Sequence, residues 1–92
     1  MANVSVESAA VQGGIKCCQT SINELQSASS SLKRSYEQAG SGGWSDQKYA
    51  ALGGIVNDCC SALTKPINDL QQCITKLQKL LEAVREYEST NL

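Results

Sequence analysis

The residues here with the most chemistry to offer are cysteines: Cys17-Cys18, Cys59-Cys60 and Cys73, five in a chain of 92 residues. Thiolates act as nucleophiles, metal ligands or disulfide partners. Zinc sites favour spacings such as C-x-x-C, usually with His in support. The sequence contains no His, and two of its cysteine pairs are directly adjacent. These thiols therefore read as small apolar side chains, kept reduced where the protein is made. An intermolecular disulfide stays open as the second use. The lack of His also removes Ser-His and Cys-His nucleophile systems. Gly40, Gly42 and Gly43 follow no strand and carry no lysine-serine signature, so they form no phosphate loop. The expectation is a protein with no catalytic residues, metal or cofactor.

Charge narrows the partners. Lys and Arg total 8 and Asp and Glu 9, for a net charge of −1. The longest basic cluster is Lys33-Arg34, too little for a nucleic-acid face. No apolar run is long enough for a membrane span. The start, MANVSVESAAVQGG, has neither a positive n-region nor a long apolar h-region, so no standard secretory signal peptide is expected.

The elements that position these residues are helices. Val11, Ile15, Cys18, Ile22, Leu25, Leu32 and Tyr36 alternate steps of three and four, with Ser29 filling the gap. That heptad seam predicts an amphipathic helix over about 5–38, with Ser5 as cap and Glu7 in its first turn. Gly13-Gly14 weakens its start. A second seam runs Tyr49, Leu52, Val56, Cys59, Leu63, Pro66, Leu70, Cys73, Leu77, Leu80, Val84, Tyr87. It predicts a helix over about 46–88, capped by Ser45 or Asp46 and kinked near Pro66; a break at Thr64 is the alternative. Glycines 40, 42 and 43 reverse the chain within a turn at 40–45. The expected fold class is all-α: one domain, 1–92, forming an antiparallel hairpin of long helices. Residues whose numbers add to about 83 should then face each other. That places Gly53-Gly54 opposite the small run at 27–31 and pairs no cysteines.

A two-helix hairpin has one seam to set against the ordering of the whole chain. Ile67, Ile74 and Leu81 form a further apolar row at intervals of seven. The expectation is that Leu63, Ile67, Leu70, Ile74, Leu77 and Leu81 meet a second hairpin, giving a four-helix bundle.

Helix, Trp-containing turn and helix within about 90 residues resembles the WXG family, the small helical hairpins exported by type VII secretion systems. The motif residues are Gly42, Gly43, Trp44, Ser45 and Asp46, with Asp46 where the family has Gly. The resemblance covers nearly the whole chain. It implies a non-enzymatic bacterial protein, made in the cytoplasm and exported without a cleavable signal peptide, that pairs with itself or another helical hairpin and engages the type VII machinery. The family's export signal is Tyr followed four residues later by an acid; Tyr87 holds that place, followed by Asn91. Related helical accessories accompany the N-terminal domains of LXG toxins, so a cytoplasmic targeting adaptor for such a toxin is the alternative. A generic coiled-coil protein is the third.

Overall fold

The computed structural model describes the backbone of residues 3–90 and the side chains of residues 6–87. Two helices make the all-α fold: α1 (Asn3–Ser41, 39 residues) and α2 (Gln47–Thr90, 44 residues). α1 runs through Gly13-Gly14 without interruption, and α2 runs through Pro66. Pro66 gives no N–H to the carbonyl of Ala62. The Ser5 cap falls on a side chain outside the described residues; the backbone there is already helical.

The chain divides into two compact units, Met1–Ile22 with Asp69–Leu92, and Asn23–Asn68. Each is a pair of antiparallel helix segments. In the first, Ile22 and Leu81 are buried, and a Cβ on Gly14 would sit 3.5 Å from Leu77 Cδ1. In the second, Val56 is buried, and the Cys60 thiol donates to the Ser29 carbonyl at 3.7 Å. Ser29, the small residue in the α1 seam, leaves room for that approach.

Two expectations need correction. Facing residues have numbers adding to 89–91, as in Gly14 with Leu77, Ser29 with Cys60 and Tyr36 with Gly53. The value from the hinge was smaller because α1 continues to Ser41, which moves the reversal toward Trp44. Gly53 therefore lies against Tyr36, and the small run at 27–31 lies against Cys60. A Cβ on Gly53 would come within 2.6 Å of the Tyr36 hydroxyl, whereas one on Gly54 would meet nothing within 4 Å.

The second correction is the phase of α2. The row Cys59, Pro66, Cys73, Leu80 and Tyr87, read as seam, is exposed. The neighbouring row is turned inward: Cys60, Ile67 and Ile74 are half-buried and Leu81 is buried. Both rows are apolar, so spacing alone does not choose between them. The choice follows from α1, where the Tyr36 ring needs a residue without a side chain opposite it and finds Gly53, not Leu52.

These contacts separate the helix glycines. Gly53→Ala should destabilise by about 1–3 kcal/mol through overpacking against Tyr36. Gly54→Ala and Gly13→Ala, with open space around the new methyl, should each stabilise by up to ~1 kcal/mol. Urea unfolding followed by circular dichroism checks the opposite signs.

Candidate interaction site at the helix reversal

The reversal begins with backbone. Trp44 N–H donates to the Ala39 carbonyl at 3.2 Å and Gly43 N–H to that of Gly40 at 3.0 Å. This is the Schellman pattern of a helix C-terminus. It requires a left-handed residue after the cap, and Gly43 supplies it with φ of 99°.

One carboxylate oxygen then starts α2. Asp46 Oδ1 accepts from the Tyr49 backbone N–H at 3.0 Å, the N-cap bond, and the Asp46 carbonyl takes the first helical bond from Ala50 N–H at 3.2 Å. Of the two cap candidates, Asp46 makes the bond. The same Oδ1 accepts the Trp44 indole Nε1–H at 2.7 Å. Asp46 therefore does two jobs, and the second fixes the orientation of the Trp44 ring.

The ring rests on an aromatic stack. Tyr36 and Tyr49 lie face to face, with centroids 4.4 Å apart and planes 5° from parallel. Trp44 tilts onto Tyr49 at 5.6 Å and 55°. The Tyr49 hydroxyl donates to the Tyr36 carbonyl at 3.0 Å, close against Gly40. Trp44 stays 41% exposed, so an apolar face is held in place and presented outward. Burial, then hydrogen bonding and the nearby Tyr36 and Glu37, hold the Tyr49 hydroxyl above the usual phenol range.

The expected turn residues Gly42, Gly43, Trp44, Ser45 and Asp46 thus come together at this end, with Ser45 exposed and making no cap bond. The expected interface residues Leu63, Ile67, Leu70, Ile74 and Leu77 are half-buried against the chain's own α1, and Leu81 is buried. Tyr87 is 59% exposed, and Asn91 lies outside the described residues. Sequence reasoning missed the Tyr36–Tyr49 stack; its signal is that both tyrosines occupy the seam nearest the turn. It also missed that the outward apolar row on α2 is the cysteine-containing one. Every cysteine is a free thiol, with Cys17, Cys59 and Cys73 exposed. Among the described residues no three His, Cys, Asp or Glu side chains gather as a metal site, and no helix is long and apolar enough to cross a membrane.

Two variants probe the reversal. Asp46→Ala should cost about 0.5–2 kcal/mol as a lost cap, and should shift Trp44 emission to the red as the indole is released; Asp46→Asn should keep most of both. Tyr49 has the higher pKa when folded, so its contribution is complete below about pH 10 and falls as pH rises past the unfolded pKa. Thermal unfolding across pH 9–12 should therefore show a shallower alkaline loss in Tyr49→Phe than in the unaltered protein. A scan against protein-family models and searches of curated proteins and of solved structures find no match for this chain.

Proposed function

We propose that this chain is a non-enzymatic component of type VII secretion, a helical hairpin that works by pairing with another hairpin and is exported with it. The observation that carries the reading is the Trp44-Ser45-Asp46 turn. A chain using Trp only to seal the loop end would bury it. This one clamps the indole with Asp46, backs it with two stacked tyrosines and leaves its outer face open. A rigid, half-exposed aromatic is what a recognition surface uses, because little side-chain entropy remains to be lost on binding.

Pairing is supported by what the hairpin leaves uncovered. Among the described residues only Ile22, Val56 and Leu81 are buried hydrophobic residues. On α2 the large apolar side chains Ile55, Leu80 and Tyr87 stay exposed, and removing such surface from water is the ordinary driving force for association. The pair would leave the bacterial cytoplasm through the type VII machinery, with Trp44 and Tyr87 as the features it reads.

Export tests the reading. In a host with an intact type VII system, the protein should accumulate in the medium, and Trp44→Ala should reduce it to the level of a strain lacking the system. Trp44→Ala should leave helix content and self-association unchanged, since the Schellman bonds and the Asp46 cap on Tyr49 use backbone donors. Undiminished export of Trp44→Ala would overturn the proposal.

A further inference from the structure

We infer that Cys18 and Cys73 are a redox-sensitive staple, two thiols that a small-molecule disulfide joins across the two helices of one chain. The staple is independent of the pairing reading above.

Register brings the two thiols level. Both belong to one compact unit, Met1–Ile22 with Asp69–Leu92. In that unit a Cβ on Gly14 would sit 3.5 Å from Leu77 Cδ1 and 3.8 Å from its Cδ2. Cys18 lies four residues after Gly14, and Cys73 four residues before Leu77. In antiparallel helices both steps run the same way along the pair, about 6 Å each. Cys18 and Cys73 therefore stand opposite each other, one turn from the Gly14–Leu77 approach. The smaller sum expected from the hinge paired no cysteines.

Symmetry puts them on one flank. The inward residues of the unit match one for one: Val11 with Leu70, Ile15 with Ile74, Cys18 with Leu77, Ile22 with Leu81. Each α2 number exceeds its α1 counterpart by 59, with Ile22 and Leu81 buried and the others half-buried. Matching inward rows on antiparallel helices are related by a local twofold axis, so an approach made by one helix is repeated by the other. Exchange about that axis turns Gly14 into Cys73 and Leu77 into Cys18. The Cys73–Cys18 approach is thus the equivalent of Gly14–Leu77. Gly14 and Ser21, half-buried on the same flank of α1, add little bulk to hold the helices apart.

The other thiols are placed differently. The depression around Cys17 is lined by Gly13, Lys16, Thr20 and Ser21, which all belong to α1. Cys59 and Cys60 lie in the other unit, where the Cys60 thiol donates to the Ser29 carbonyl.

Exposure divides the chemistry. Cys73 is exposed, at the border of the seam, and Cys18 is half-buried. The Cys73 thiolate attacks one sulfur of oxidised glutathione, whose S–S bond breaks; one glutathione thiolate leaves and a mixed disulfide remains on Cys73. Rotation about χ1 turns that sulfur toward α1. Cys18 gives its proton to solvent and attacks Cys73 Sγ, and the second glutathione leaves as thiolate. The protein has lost two electrons and two protons, and the oxidant has become two thiols. The bridge closes a loop that holds residues 19–72, which removes conformational freedom from the unfolded chain. It also ties together the helix ends, the part of a hairpin that opens first.

Oxidised glutathione tests the staple on the full-length chain. After treatment and alkylation of the remaining thiols, the unaltered monomer should lose two hydrogens and carry alkyl groups on three of its five cysteines. Fragmentation of the linked peptides should place the bridge at Cys18 and Cys73. The oxidised monomer should melt roughly 10 °C above the reduced one, and dithiothreitol should abolish the gain. Two variants isolate the geometry. One keeps Cys18 and Cys73 through Cys17→Ser, Cys59→Ser and Cys60→Ala. The other keeps Cys17 and Cys73 through Cys18→Ala with the same changes at 59 and 60. The Cys18 protein should close its bridge about tenfold faster or more, and concentrated urea should erase the preference. A Cys17 protein that closes as fast in buffer would overturn the staple. So would a Cys18 protein that yields only glutathione adducts or linked dimers. Should circular dichroism show that either variant has lost its helices, the peptide map of the unaltered chain decides: a bridge at Cys18 and Cys73 upholds the staple, and a bridge at another pair, or none, overturns it.

Discussion

Two helices share only one seam, and that constraint governs the rest of this molecule. Each residue on a seam has neighbours on one side and solvent on the other. Among the described residues, just the hydrophobic side chains of Ile22, Val56 and Leu81 are buried. Fully burying such side chains stabilises by about 1.5–3 kcal/mol each, while ordering each backbone residue costs about 1–2 kcal/mol. Helix hydrogen bonds and the many half-buried side chains narrow that gap.

The reversal converts this constraint into geometry. A hairpin's register is set where the chain turns, because each helix is a rigid ruler beyond that point. Here the Schellman bonds end α1 and the Asp46 carboxylate begins α2, with one glycine in the left-handed region between them. Tyr36 and Tyr49 then stack across the first layer of the seam. That layer brings Tyr36 over Gly53 and, seven residues further, Ser29 over Cys60. The small residues of this sequence are thus matched to large or reaching ones, not to each other.

How much of this the sequence disclosed follows from what each signal depends on. The two helices were legible because a heptad repeat is a local property, and the α1 seam from Val11 to Tyr36 was legible because α1 has one apolar row. The phase of α2 was not, because Cys59 and Cys60, Pro66 and Ile67, Leu80 and Leu81 offer two apolar residues at each step. Choosing between them requires the opposing surface. The register was displaced because the glycines at 40, 42 and 43 looked like the centre of the turn, although Gly40 belongs to α1. At the turn, Asp46 was legible as one of two candidate caps. Its bond to the Trp44 indole was not, since it depends on the Schellman geometry that carries Trp44 back toward α2.

The exchange of the two α2 rows also changes what the cysteines mean. Had Cys59 and Cys73 faced α1, they would have been packing residues shielded from oxidants. On the outward row they are exposed thiols in an otherwise apolar strip, a position where a reduced cysteine serves as a small hydrophobe and an oxidised one as a covalent tie. The strip tolerates Cys59, Pro66 and Cys73 because it faces away from α1 and needs only shape and apolar area, whereas the inward row needs the branched side chains Ile67, Ile74 and Leu81 to fill the seam. The same helix therefore carries two apolar surfaces of different quality. The denser one holds the hairpin together, and the looser one keeps small or exposed side chains, Cys59, Pro66 and Cys73 among them.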